Sequence, residues 1–115
     1  MHEPVIDRTV YAALQDSAGA EFVADLADTF IEEATGMLAE LRSARAANNA
    51  ERFRRAAHSL KTNSNTFGAM RLGALARALE LNGLDADPAR DEAAIAALEV
   101  EYTRAAAALK DLRNG

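Results

Sequence analysis

The chain has 115 residues, of which 50% are hydrophobic and 5% aromatic, and its formal net charge is −5. This composition is typical of one closely packed helical domain, so we predict a single domain over residues 1–115. The chain has no cysteine, which excludes disulfides and thiolate metal sites, and no run of about 20 apolar residues that could span a membrane.

Two helices are predicted in the first part of the chain. The first is short, with Asp7 as its N-cap, and ends at about Asp16. Gly19 breaks the chain before a long second helix over about 20–47, where apolar residues recur on one face. The apolar side chains expected in these helices are Val10 and Leu14 in the first, and Phe22, Val23, Leu26, Phe30, Ile31, Ala34, Met37, Leu38 and Leu41 in the second.

Three further helices follow. The third covers about 49–67 and ends near Gly68, a residue suited to the left-handed conformation after a helix. The loop 83–88 separates the fourth helix from the last, with Asp87 as the cap and Pro88 as the first helical residue. The apolar residues expected to be buried are Phe53, Ala56, Ala57, Leu60 and Phe67 in the third helix, Leu72, Leu75, Ala76 and Leu79 in the fourth, and Ile95, Leu98, Tyr102, Ala105, Leu109 and Leu112 in the last. Short connections predict an all-α fold, an up-down-up-down antiparallel four-helix bundle with a short extra N-terminal helix.

His58 is predicted to lie on the solvent side of the third helix. At about 100° per residue, Leu60 and Phe67 lie on the far side of the helix from it. An exposed imidazole is largely neutral at pH 7 and offers a nucleophilic nitrogen. This nitrogen could carry a phosphoryl group, because a phosphoramidate can pass the group on to a carboxylate. The polar residues within about 60° of His58 are Arg54, Arg55, Lys61, Thr62 and Asn65.

The charges are distributed unevenly along the chain. Residues 52–77 hold six basic and no acidic residues, whereas the remainder holds 7 basic and 18 acidic ones. We expect the local positive field to attract an anionic partner or group. Lys61 follows His58 by three residues, so its ammonium could donate hydrogen bonds to phosphate oxygens from the adjacent turn.

The region around His58 resembles the signature of histidine-containing phosphotransfer (HPt) domains. The residues that carry the resemblance are His58-Ser59-Leu60-Lys61, Gly68-Ala69, Leu72, Leu75 and Leu79-Glu80, and, near the amino terminus, Ile6-Asp7, Leu14, Gly19, Phe22-Val23 and Phe30. The resemblance therefore covers nearly the whole chain. It implies a phosphoryl carrier without a kinase or nucleotide site of its own, with His58 as phosphoacceptor and Lys61 stabilising the phosphate.

The resemblance also implies the partners. His58 would take a phosphoryl group from the receiver domain of a hybrid histidine kinase and give it to a response regulator, with magnesium on the receiver and no cofactor of its own. Arg54, Arg55, Thr62 and Asn65 are the candidate partner-binding residues. We expect a cytoplasmic monomer that binds neither nucleic acid nor membrane, because the basic segment lacks exposed aromatics for base stacking and Met1 to Val5 is not a signal peptide.

Thr62 departs from the family pattern, which commonly has glycine at this position, and its side chain could narrow access to His58. This leaves room for a phosphorylation-independent adaptor or kinase inhibitor with the same bundle. Another alternative is the detached phosphoacceptor domain of a chemotaxis-type kinase, although a chain of 115 residues without a catalytic region favours the free-standing relay. His2 lies near the terminus and is expected to have no role.

Overall fold

Five α-helices follow one another in the part of the chain that the computed structural model describes, residues 5–114. The helices are α1 (Arg8–Ala18), α2 (Ala20–Ala46), α3 (Ala50–Thr66), α4 (Met70–Asn82) and α5 (Pro88–Asn114). The all-helical class is confirmed, and the described residues contain no strand. His2, to which no role was assigned, lies outside the described residues.

Short polar side chains begin three of the helices, and two of them, Asp7 and Asp87, are the predicted caps. The Asp7 carboxylate accepts hydrogen bonds from the backbone N–H groups of Thr9 and Val10, at 3.0 and 3.3 Å. The Asp87 carboxylate accepts one from the N–H of Ala89 at 3.0 Å, directly before Pro88 opens α5. The Asn49 side chain starts α3 in the same way. These caps satisfy N–H groups that have no partner within the helix.

Gly68 joins the end of α3 to the start of the chain. Its φ is +82°, and its carbonyl accepts a hydrogen bond from the N–H of Asp7 at 2.8 Å. A Cβ added at Gly68 would lie 2.7 Å from the Asp7 carbonyl oxygen, so a side chain is excluded both by conformation and by space. The predicted left-handed residue is therefore confirmed, and it lets α1 lie against α2 and α3.

One apolar core joins the helices. In addition, α2 packs against α3 and α5, and α4 packs against the same two helices. The rings of Phe30 on α2 and Phe67 after α3 stack with centroids 5.3 Å apart. The fully buried large side chains are Val23, Leu41, Phe53, Leu60, Leu72, Ile95, Leu98 and Leu109. Each stabilises the fold by about 2 kcal/mol through removal of its surface from water.

None of the helices in residues 5–114 is long and apolar enough to span a membrane.

The structure differs from the predicted apolar faces near the amino terminus. Phe22 was expected on the apolar side of α2 but is 55% exposed, because it lies about 100° from the buried Val23, at the edge of the buried stripe. In α1, Val10 and Leu14 are only half-buried, and Tyr11 is the buried residue. This helix also continues two residues beyond the predicted end, to Ala18.

Candidate functional site

His58 lies on the exposed face of α3, as its position in the helical repeat predicts. Its side chain is 57% exposed. The neighbouring Ala57 and Leu60 are fully buried and fix this orientation, because they hold the opposite face of α3 in the core. The imidazole is thus anchored to a rigid helix while one edge of the ring remains open to solvent.

Glu80 on α4 binds both His58 and Lys61. Its Oε2 lies 2.5 Å from Nδ1 of His58, and its Oε1 accepts a hydrogen bond from Nζ of Lys61 at 2.7 Å. The side chains of Lys61 and Glu80 are 23% and 18% exposed, so the ion pair is only partly open to water. The three side chains form one continuous network across the contact between α3 and α4.

The charge of Glu80 determines which nitrogen of His58 is free. The hydrogen bond from Lys61 holds the pKa of the Glu80 carboxyl below its usual 4.5, with a smaller contribution from His58, although partial burial opposes the shift. Glu80 is therefore a carboxylate at neutral pH and can only accept hydrogen bonds. In the neutral ring, Nδ1 of His58 therefore donates the hydrogen bond to Glu80, and the lone pair lies on Nε2.

A close contact between α3 and α4 lies two turns from Glu80, at Gly73. A Cβ added at Gly73 would collide with the side-chain amide of Asn65, so the missing side chain lets this part of α4 approach α3 directly. Gly73 faces Asn65, and Glu80, two turns further along α4, faces Lys61.

Arg54 and Arg55 lie next to His58, in agreement with their predicted positions. They line a pocket of about 240 Å³ together with His58, Glu51 and Glu80. Arg55 donates a hydrogen bond to the Glu51 carboxylate at 2.5 Å, whereas Arg54 forms no ion pair with any residue that the structure describes.

Thr62 and Asn65 lie further along the same helix face. Both are exposed, Thr62 one turn and Asn65 two turns beyond His58. The Asn65 amide lies over Gly73 of α4, so this residue is engaged in a helix contact as well as being open to solvent. The structure therefore brings Arg54, Arg55 and Lys61 close to His58 and leaves Asn65 at the border of the region.

The expected positive field is largely offset by acids from outside the basic segment. Four of the six basic residues in 52–77 are paired with carboxylates. These pairs are Arg52 with Glu40, Arg55 with Glu51, Lys61 with Glu80 and Arg71 with Glu101. The sequence does not indicate the pairs with Glu40 and Glu101, because these two acids belong to α2 and α5. The charge around His58 is therefore mixed rather than uniformly positive.

A groove of about 330 Å³ runs between α2 and α3 beside His58, and we call it the α2–α3 groove. Gly36, Met37 and Ala56 supply its uncharged lining, and Ser59 and Arg55 border it near His58. The other lining residues are Glu33, Glu40 and Arg52. Arg55 also lines the pocket around His58, so the two depressions adjoin at this side chain.

Glu80 is the site residue whose role the sequence analysis missed. The Leu79-Glu80 pair is one of the features that resemble the HPt family, but the sequence does not indicate that Glu80 contacts His58. Glu80 lies four residues after the buried Ala76 and next to the buried Leu79, at the edge of the apolar stripe of α4. This position is the feature of the sequence that could have indicated a role for Glu80 at the contact with α3.

Within residues 5–114, no group of three or more His, Asp or Glu side chains is arranged to hold a metal ion.

The comparisons with known proteins agree with this geometry. The family model of the Hpt domain matches residues 25–114, which include all of α3, α4 and α5. The crystal structure of histidine-containing phosphotransfer protein B (HptB) from Pseudomonas aeruginosa PAO1 is similar to this chain, with a TM-score of 0.83 and 29% sequence identity. The match covers 98% of this chain and 97% of that one. No curated protein matches significantly. With most of its length matched by the family model, the chain belongs to the Hpt domain family, whose members are phosphocarrier modules of two-component signalling.

Proposed function

We propose that the chain relays a phosphoryl group between the aspartates of two receiver domains, through phosphorylated His58, in a multistep phosphorelay. The single observation that supports this most strongly is the contact between Glu80 and Nδ1 of His58, which leaves Nε2 as an exposed nucleophile on a rigid helix. Membership of the Hpt domain family indicates phosphoryl transfer, and the orientation of the imidazole ring indicates that Nε2 is the reacting atom.

The transfer needs only atoms that the chain and a receiver domain provide. The Nε2 lone pair of His58 attacks the phosphorus of the receiver's aspartyl phosphate, the bond from phosphorus to the aspartate oxygen breaks, and the aspartate leaves as a carboxylate. The product ring bears the phosphoryl group on Nε2 and the proton on Nδ1, so it is cationic. Glu80 stabilises this cation through the hydrogen bond that it already makes. The reverse reaction delivers the group to the second receiver.

Basic side chains beside His58 would neutralise the charge of the phosphoryl group. Lys61 uses one of the three donors of its ammonium to bind Glu80, and the others can turn to phosphate oxygens. Arg54 lines the same pocket without an ion pair to the described residues, so its guanidinium is available for the same purpose or for contact with the receiver. Phosphoryl transfer depends mainly on such positioning and charge neutralisation. We propose that the chain has no cofactor, and that the receiver supplies the magnesium ion.

The receiver would dock on the face formed by α2 and α3. The α2–α3 groove adjoins the pocket around His58 at Arg55, and the half-buried Met37 in the groove offers apolar contact area. Arg55 and Thr62 border the approach to the imidazole, and Asn65 lies at its far end. We propose that these residues contribute to the choice of receiver through shape and charge complementarity. The donor would be the receiver of a hybrid histidine kinase and the acceptor a response regulator.

We infer further that α2 to α5 form an up-down-up-down antiparallel bundle, with α1 as the short extra helix. The direction of α5 against α2 supports this. Asp28 pairs with Arg113 at 2.8 Å and Arg42 with Glu99 at 2.6 Å, so residue numbers rise along α2 as they fall along α5. We propose a single domain over residues 1–115 that acts as a cytoplasmic monomer and binds neither nucleic acid nor membrane.

Labelling with a phosphorylated receiver domain and magnesium tests the proposed transfer. We expect the wild-type chain to acquire a label that is lost in acid but survives alkali, and His58→Gln to acquire none while keeping its helical circular dichroism. Label retained on His58→Gln would overturn the assignment of the phosphoacceptor.

The same experiment separates the two alternatives. Receivers that bind the chain but never label it would favour an adaptor or inhibitor, with Thr62 as the residue that blocks transfer. Labelling by the ATP-binding domain of a chemotaxis-type kinase, and not by any receiver, would favour a detached phosphoacceptor domain.

A further inference from the structure

Gly36 lies near the middle of α2, where glycine weakens a helix. Glycine loses more backbone freedom on folding than alanine does, so an interior helical glycine lowers stability. A Cβ added at Gly36 would meet no heavy atom within 4 Å, and its φ is not in the left-handed region. Gly73 and Gly68 are different, because a Cβ at either would collide with a neighbour. Among residues 5–114, neither packing nor backbone conformation requires glycine at position 36.

Gly36 is also part of the α2–α3 groove. It lies across the groove from Ala56 and Arg55 of α3, beside the half-buried Met37. Arg55 lines both the groove and the pocket around His58, so a protein that reaches the imidazole from the side of α2 passes over Gly36. This position beside the pocket of His58 favours the receiver domain as the occupant of the groove.

We propose that Gly36 is the point at which the docked receiver domain comes closest to α2, and that its missing side chain determines which receivers can dock. The proposal rests on the proposed function, because it takes the occupant to be the receiver that exchanges a phosphoryl group with His58. Glycine allows another protein to approach the helix backbone directly. The small Ala56 on the facing helix keeps the groove open at the same level. The loss of helix stability at Gly36 would then be offset by closer docking.

The test compares three variants of the whole chain with a receiver domain that labels the wild type. Gly36→Ala adds one methyl group and Gly36→Leu adds a larger side chain to the groove. Thr35→Ala is the matched control, because Thr35 is exposed on the neighbouring position of α2, about 100° away, and does not line the groove. Both alanine changes raise helix propensity.

Stability and binding are expected to change in opposite directions at Gly36. Gly36→Ala should raise Tm by about 4 °C and raise the Kd for the beryllofluoride-activated receiver about tenfold. Gly36→Leu should weaken binding further. Thr35→Ala should also raise Tm while leaving Kd unchanged.

Two results would overturn the proposal without affecting the proposed function. The first is that the receiver labels the wild type and binds the Gly36→Leu variant as tightly as it binds the wild type. The second is a wild-type dimer in sedimentation that Gly36→Leu dissociates while receiver binding is unchanged, which would make a second copy of the chain the occupant. A wild type that no receiver labels or binds would instead overturn the proposed function, and this inference with it.

Discussion

Nδ1 of His58 lies 2.5 Å from Oε2 of Glu80, so an acid on α4 orients the ring of a histidine on α3. Lys61 holds the other oxygen of the same carboxylate at 2.7 Å. The contact determines the protonated nitrogen, the exposed nitrogen and the charge that faces the ring after phosphorylation. Most of the testable consequences of the structure follow from this one carboxylate.

Replacement of Glu80 by glutamine tests its effect on His58. The neutral amide can donate as well as accept, so it no longer selects the Nδ1-protonated ring or stabilises the cationic product. We expect Glu80→Gln to lower the rate of labelling by a phosphorylated receiver about tenfold with the fold intact. Glu92→Gln is the control, because Glu92 is exposed on α5 and pairs with Arg42. Equal rates for the two variants would argue against a positioning role for Glu80.

The depressed pKa of Glu80 predicts how its contribution to stability depends on pH. The hydrogen bond from Lys61 lowers this pKa below 4.5 in the folded chain. A carboxyl whose pKa is lower in the folded than in the unfolded state stabilises the fold above the unfolded pKa and loses that effect as pH falls through the folded pKa. The Tm difference between wild type and Glu80→Gln should therefore be greatest near pH 7 and shrink below about pH 4.5. A difference that remained constant down to about pH 2 would contradict the ion pair.

Lys61→Ala tests the proposed contact with phosphate. Without the ammonium, no positive charge from Lys61 offsets the repulsion between the negatively charged phosphoryl group and Glu80. We therefore expect labelling to be about fivefold slower, or loss of the phosphoryl group to be about fivefold faster. Lys110→Ala is a matched control, because Lys110 is the other lysine of the chain and is exposed on α5. The measurement is the rate of label gain and loss at fixed pH. Rates unchanged in Lys61→Ala would remove the proposed role.

Thr62→Gly tests whether the threonine limits access to His58. Thr62 is exposed one turn beyond the histidine, so removal of its side chain opens the approach to Nε2. We expect faster transfer, or transfer from a wider set of receivers, together with a loss of about 0.5 kcal/mol in the free energy of unfolding. Thr103→Gly, at an exposed helical threonine on α5, should cause a similar loss of stability without faster transfer. The same transfer rates in both variants would show that Thr62 is no barrier.

Features within a single helix could be predicted from the sequence. The direction of His58 follows from the 3.6-residue repeat, and the caps at Asp7 and Asp87 follow from side-chain chemistry. These features depend on neighbours a few residues apart, whose spacing in a helix is fixed. Phe22 shows the limit of the same reasoning, because the repeat does not decide which residue at the edge of a stripe remains exposed.

Contacts between helices could not be predicted in this way. Glu80 meets His58 because of the register of α4 against α3, which the packing of the two helices and the turn between them determine. Spacing along one helix carries no information on that register. The pairing of Arg52 with Glu40 has the same origin, and it explains why a segment rich in basic residues does not produce a uniformly positive surface.

Reconstitution of the relay in two steps tests the central claim most directly. A phosphorylated donor receiver is mixed with the chain and a second, unphosphorylated receiver, and label is followed on all three proteins. We predict that label reaches the second receiver only when the wild-type chain is present, passing through a form phosphorylated on the chain, and that His58→Gln blocks the passage. Label that reached the second receiver equally well with His58→Gln would contradict a relay through His58.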